Sequence, residues 1–348
     1  MSIFLDDSNC GDALFPFTHT RHVADIRLGI LTLREKWELL CKKQILTEPG
    51  KENNELITVP ANIIPTTENI QEILELATKD KHITASASIK ILHHPWQIFQ
   101  LNGSAIKEDF GLLSRNRISE VIDGSNKCIA PENIFIEVGA NVQHCFLNAS
   151  EGPIYIGKNV LAMEGSAIRG PFAACEGSVI KMGAKIYGGT TLGPYCVAGG
   201  EIKNSVLFGY SNKAHDGYLG DSVIGEWCNL GAGTSNSNVK NTGGPVKYTL
   251  HEDAVSLTAG IKGGLLMGDY SRCAINTSFN TGSVVGVCCN IFGEMPPKYL
   301  PHFSWGTGQY IFEKALDDIN NWKKMKGHIL SEQEKETLQK LYLSQYKK

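Results

Sequence analysis

His215, Tyr218 and Asn229 stand out in the stretch "SNKAHDGYLGDSVIGEWCNLGAGT", residues 211–234. An imidazole, a phenol and a carboxamide occur there among small residues, Ala214 and Gly217 beside the imidazole, that would let a substrate approach. Lys203 lies upstream and Asn238 follows. These residue types suit acyl transfer from a thioester to an amine. The ammonium must lose a proton as it attacks, and an imidazole, with an ordinary pKa of about 6.5, can accept it. The tetrahedral oxyanion needs N–H donors, which a coil of backbone amides supplies. An anionic acceptor needs cations, and Lys203, Lys185 and Arg169 offer positive charge. Asn229 and Asn238 offer amides to a sugar or an acyl carbonyl. Spacing alone leaves a second reading open, in which His215 is a solvated residue on a repeat surface.

The scaffold that must position these groups has a short period. Ile180, Ile186 and Leu192 are evenly spaced, as are Tyr218, Ile224 and Leu230, and Gly157, Gly193, Gly225 and Gly231 each follow an aliphatic residue. This is the hexapeptide pattern of a left-handed parallel β-helix. Each short strand buries one aliphatic side chain, small residues turn the corners, and successive coils stack on their neighbours. An antiparallel sandwich would instead repeat every 8–12 residues or so. The period breaks over "NVKNTGGPVKYTL", residues 238–250, which reads as a loop inserted into the coil array.

Glycine divides the chain. Of 36 glycines, 29 lie between residues 130 and 308. The organisation expected is therefore an α/β domain over 1–128, a β-helix over 129–308 and a helical tail over 309–348. In the first part "ITVPANIIP" reads as a strand and a loop, "TTENIQEILELAT" as a helix, and the apolar spacing of Ala24–Leu40 suits one helix face. In the tail, "QYIFEKALDDINNWKKMKG" is amphipathic, and Ser331 and Glu334 have capping-box spacing. The expected role of these two helices is to cover the open end of the solenoid.

Composition narrows the classes. The chain has 348 residues, 42% apolar and 20% charged, with formal net charge −3. No global basic field points to nucleic acid, and no apolar run reaches the roughly 18 residues of a membrane span. The start, "MSIFLDDSNCGD", lacks the features of a secretory leader. Ten cysteines without a C-x-x-C pair read as reduced thiols of a cytoplasmic protein, and no Cys/His cluster suggests a metal site.

The stretch at 211–234 resembles the acetyltransferase domain of the bifunctional enzymes that make UDP-N-acetylglucosamine, members of the hexapeptide-repeat acyltransferases. Their motif runs Lys-Ala-Gly-His, Tyr-Leu-Gly-Asp, then Asn-(Ile/Leu)-Gly-Ala-Gly-Thr. The resemblance implies His215 as general base, Tyr218 and Asn238 as sugar contacts, and Asn229 as a polar partner near the reacting amine. It implies Lys203, in "EIKNSV", and Arg169, in "IRGPF", as phosphate contacts, with Lys247 as a further binding lysine. Two departures stand: Ala214 precedes His215, and "VKN" follows Asn238 where the family has Tyr-Asp-Gly.

The whole chain resembles a shortened branch of that family, of the kind found in Bacteroidetes-like bacteria. The match is carried by "LFPFTHTRHVADIRLGILTLREKWE", "PWQIFQLN", "PENIFIEVGA", "EGSAIRGPFAACEGS" and "PPKYLPHFSWG". It implies a reduced nucleotidyltransferase-like α/β domain before the β-helix. It also implies acetyl-CoA as cosubstrate, an amino-sugar phosphate (glucosamine 1-phosphate first) as acceptor, and a homotrimer with active sites between subunits. Nucleotidyl transfer, alone or in addition, would need Mg²⁺ held by carboxylates and a phosphate cradle. No glycine-rich loop with Thr-Arg follows the first strand. Arg21, Arg27 and Arg34 are the candidate phosphate contacts, with ion pairing to residues such as Asp25 and Glu35 as the other reading. A non-catalytic trimer that binds sugar nucleotides is the remaining alternative.

Overall fold

The computed structural model describes residues 2–48, 56–79, 81–252, 254–293 and 295–346. The N-terminal part is α/β. Strand Ser2–Asp6 lies between parallel strands Ile45–Leu46 and Leu56–Pro60. Its alternation puts Ile3 and Leu5 in the core. Around it pack helices α1 (Leu33–Cys41), α2 (Ile70–Thr78) and α3 (Gln97–Ser114).

The helix expected over 24–40 begins only at Leu33. Before it, Arg27–Leu28 and Leu31–Thr32 form a two-stranded hairpin. Gly29 turns that hairpin at φ +82, and a Cβ there would strike Asp109 and the backbone of Ala105. Thr32 then starts the helix by a capping box with Glu35.

Residues from Lys127 onward form a three-sided parallel solenoid. Its faces carry nine, ten and six strands. The inward residues, Ile156, Ile180, Ile186, Leu192, Ile202, Ile224 and Leu230 among them, make one continuous apolar column. On the nine-stranded face both sides of the strands are buried. In Ile134–Phe135–Ile136 and Ile154–Tyr155–Ile156 the outer residues of each triplet point into the coil, and the middle one points out. The outward row meets α3 and the hairpin, and further along Val206, Phe208, Val223, Leu266 and Val284 join the core of the N-terminal part. This is the docked face.

The C-terminal helices α4 (Phe312–Met325) and α5 (Glu332–Tyr346) pack along the side of the late coils, at the corner after the docked face. There each coil turns through a left-handed residue, and several are aromatic: Tyr195, Tyr210, Trp227, Tyr270 and Phe303. Tyr210 stacks on Tyr195 at 5.1 Å and on Trp227 at 4.2 Å. Trp227, Tyr270 and Phe303 share one apolar cluster with Ala315, Ile319 and Leu338 of the helices. The helices thus cover a corner rather than only the end of the solenoid. Ser331 and Glu334 form the expected capping box.

Buried polar groups on α3 tie it to the solenoid, through Asn102, and to the rest of the N-terminal part, through Asp109. Asn102 on α3 accepts from the Gly29 amide and donates to Gly189 O and Thr191 Oγ1 of the solenoid. Asp109, on the same helix, pairs with Lys36 of α1 and accepts from the amides of Ile30 and Leu31 at 2.7 and 3.1 Å. Burial pushes the Asp109 carboxyl up and the Lys36 ammonium down, and each partner opposes the other's shift. Removing one member leaves the other charge buried and unpaired. Lys36→Met is therefore expected to destabilise the protein by about 3–5 kcal/mol. The double variant Lys36→Met/Asp109→Leu should be less damaged than the sum of its single changes in denaturant titration.

Candidate active site

The ten-stranded face lies beside the C-terminal helices, and the six-stranded face is open to solvent. The chain passes from the first to the second between Asn212–Lys213 and Tyr218–Gly220. His215 stands exposed on that corner. The coils approach closely there. Gly217 adopts φ +121, and a Cβ on it would lie 2.1 Å from Thr234 O.

Beneath the corner is a residue the sequence reading passed over. Lys213 occupies an inward position beside Ala198 in the neighbouring coil and is only 1% exposed. Its ammonium donates to His215 O and, at 3.4 Å, to Gly199 O. Burial lowers its pKa from 10.5 to about 8, with Asp216 opposing the shift. The lysine therefore holds the backbone of the His215 corner from inside the solenoid.

The open face carries four of the expected residues. Asn238 donates to Tyr218 Oη at 3.0 Å and to Asp221 Oδ2 at 2.5 Å. Asn204 donates to the other oxygen of Asp221 at 2.7 Å. Asp221, which the sequence reading also missed, is the hub that orients the pair. Burial and the Asp221 charge push the Tyr218 phenol up to about 12, so it stays protonated at neutral pH. Lys203 is on the strand paired with Tyr218–Gly220, its Nζ 5.5 Å from the Tyr187 ring centroid. Arg169 is on the same face, two strands away, and pairs with exposed Glu151 at 3.0 Å.

Two expected residues lie elsewhere. Asn229 is on the helix-side face, between Asn212 and Arg272. It accepts weakly from Asn212 at 3.4 Å, while Lys326 of the C-terminal segment donates to Asn212 at 3.0 Å. Within one chain no hydrogen bond joins Asn229 to His215 among the described residues. Lys247 is exposed on a hairpin, Val246–Tyr248 with Leu257–Gly260. That hairpin is held to the N-terminal part by Tyr248 stacked on Trp96 at 5.3 Å. Among the described residues no hydrogen bond joins Lys247 to Lys203 or Tyr218.

The N-terminal arginines are engaged. Arg21 is paired with Asp269 and lies over Phe208. Buried Arg27 donates to Phe208 O and Ile30 O, with Glu35 at 3.8 Å. Arg34 forms a two-pronged pair with Asp25 at 2.6 and 2.8 Å. Each of the three therefore has an ion-pair or carbonyl contact, while Nη1 of Arg21 is buried with no hydrogen-bond partner. At the carboxyl end of the first strand, Asp6 accepts from Ser8, and Asp7 accepts from the Val23 amide and lies 3.3 Å from His22. Among the described residues, no group of three or more His, Cys, Asp or Glu side chains is arranged to hold a metal ion. All ten cysteines are unpaired thiols, most of them buried. No helix among the described residues is long and apolar enough to cross a membrane.

Residues 2–87 match the family described as sugar nucleotidyl transferase. The chain is 36% identical over 89 residues to the bifunctional protein GlmU of Methanocaldococcus jannaschii, covering 26% of this chain and 21% of that protein. It is 31% identical over 111 residues to the bifunctional sugar-1-phosphate nucleotidylyltransferase/acetyltransferase of Sulfurisphaera tokodaii, covering 32% and 26%. For the GlmU of Thermus thermophilus the values are 29% over 153 residues, 37% and 33%. The chain is related to the GlmU-like bifunctional proteins. Its alignments span a third or less of the length of these curated relatives. The GlmU-like relationship agrees with the architecture, an α/β nucleotidyltransferase-like part followed by a β-solenoid and helices.

Lys213 gives the corner a pH signature. Its folded pKa is below its unfolded value, so between about pH 8 and 10.5 the unfolded chain binds more protons and stability rises with pH. Below that window the folded state carries a constant penalty. Lys213→Met removes this dependence. The stability of the variant relative to the parent should be greatest near pH 7 and decline through the window, as measured by denaturant unfolding at several pH values.

Proposed function

We propose that the chain is an acetyl-CoA-dependent N-acetyltransferase acting on an amino-sugar phosphate, with glucosamine 1-phosphate the first acceptor to test, in sugar-nucleotide synthesis. The observation that carries this reading is the open face. Lys203, Tyr218 and Asn238 share it, and His215 is exposed at its leading corner.

In this mechanism Lys203 holds the acceptor phosphate, and Tyr218 and Asn238 bind sugar hydroxyls. The acceptor ammonium gives one proton to solvent, and His215 accepts a second from the nitrogen as the free amine attacks the thioester carbonyl. The C–N bond forms, the tetrahedral intermediate collapses with cleavage of the C–S bond, and the imidazolium returns its proton to the departing thiolate. Lys213 contributes by fixing the main chain that carries the imidazole. Asn229 faces away from this cluster within one chain, so its part in the reaction requires a second subunit. A homotrimer with shared pockets, as in the resembling acyltransferases, would supply one.

Nucleotidyl transfer is the second reading, favoured by the family match over residues 2–87. Release of pyrophosphate from UTP and a hexosamine 1-phosphate in the presence of Mg²⁺ tests it.

His215→Ala should reduce thiol release from acetyl-CoA by about 10²–10⁴-fold, the usual value of a general base, with circular dichroism unchanged. Retained activity would overturn the role given to His215. Light scattering should give the mass of a trimer, and a monomer would contradict the shared pocket.

A further inference from the structure

The open face continues well beyond the residues used above. On the coils before Lys203 it carries a groove of about 530 Å³, within the range of about 300–1,000 Å³ common to small-molecule sites. Its floor is apolar although it faces solvent: Ile129 and Phe146 are 56% and 57% exposed, with Tyr187 at the near end. Lys127, Arg169 and Lys185 line it, and no carboxylate does. Exposed Glu151 pairs with Arg169 from outside.

Register measures the track. Phe146 is followed outward along the solenoid by Ala167, Lys185, Glu201 and Tyr218. Four inter-strand steps of about 4.8 Å place Phe146 roughly 19 Å from Tyr218. One pyranose ring with its phosphate does not reach that far. The parallel column runs through Arg169, Tyr187 and Lys203, free of the Glu201 carboxylate that stands between Lys185 and Tyr218.

We infer that this groove holds the nucleoside diphosphate portion of the acetyl acceptor. The amino-sugar phosphate proposed above is then preferred in its nucleotide-linked form, with the free hexosamine 1-phosphate as the comparison acceptor. The chemistry is complementary along its length. The diphosphate runs past Lys203 and Arg169, with Lys185 and Lys127 supplying further positive charge. The base stacks on the exposed face of Phe146, beside Ile129, since any nucleobase offers a flat π-surface to an aromatic side chain. The amino sugar is left at Tyr218, Asn238 and His215. This inference rests on the reading of the His215 corner as the acetyl-transfer site, and its test has a binding arm that does not.

The probe is UDP, titrated calorimetrically into the full chain. UDP should bind, with affinity falling as salt rises. Phe146→Ala, on an exposed outer position, should weaken it at least about fivefold, the lower range for loss of a base stack. Lys127→Ala and Lys185→Ala should weaken it further and flatten the salt dependence. The second arm compares UDP-linked hexosamine with hexosamine 1-phosphate as acceptors for acetyl-CoA. The nucleotide-linked acceptor should have the higher kcat/KM, and Phe146→Ala should erode that preference. Absence of UDP binding, or binding indifferent to Phe146 and to both lysines, would overturn the inference. So would equal kcat/KM for the two acceptors with no competition by UDP, and His215 would keep its role in that case. If UDP binds through Phe146 but neither acceptor is acetylated, the groove assignment stands and the acetyl-transfer reading falls.

Discussion

An ammonium and a carboxylate, Lys36 and Asp109, meet without access to water where α1, α3 and the hairpin come together. The arrangement is stable because both carboxylate oxygens of Asp109 are hydrogen-bonded. Lys36 takes one oxygen, and the amides of Ile30 and Leu31 take the other. Gly29 has no side chain because the carboxylate fills the space beside it. About two helical turns away, Asn102 carries the same hairpin onto Gly189 and Thr191. Asn102 fixes where α3 and the hairpin sit on the solenoid. The Lys36–Asp109 pair adds little net energy beyond what apolar packing would give, but it allows one packing of α1, α3 and the hairpin, because any other leaves charges buried and unpaired.

Docking of this kind also explains what could be read in the chain and what could not. The solenoid was legible because its inward aliphatics and corner glycines recur at a short spacing. Helix α3 was not. Its buried side includes Asn102 and Asp109, and Gly103 and Gly111 interrupt it, so no clean apolar stripe marks it. The residues over 24–40 carried a helical spacing that the chain uses differently. Ile26 and Ile30 are buried from a turn and a hairpin, and only the part after Thr32 is helical. Tyr218 shared a period with Ile224 and Leu230, yet Leu219 is the residue that enters the core there. That one-residue offset is what leaves the phenol free to face ligand.

For the candidate site, the sequence named His215, Tyr218, Lys203 and Asn238 but could not supply their supports. Lys213 stands where the pattern calls for a small or aliphatic residue, and only the coordinates show that its ammonium turns back onto the corner. Asp221 and Tyr187 become neighbours of Asn238 and Lys203 through the stacking of coils of unequal length. Without the coil boundaries, residues one turn apart cannot be paired. The same uncertainty hid the placement of Asn229 on a different face from Tyr218.

Solenoids ordinarily gain or lose whole coils with little penalty, since each coil contacts mainly its neighbours. Here that freedom is withdrawn. A single helix, α3, spans the strands Phe172–Ala174, Thr190–Leu192 and Val206–Gly209, and the core of the N-terminal part reaches on to Val284. The α/β part acts as a splint laid across consecutive coils. Deleting one coil would shift every later outward side chain against a fixed partner. Lineages carrying this splint should therefore keep its coil number constant while varying the length of the inserted loop.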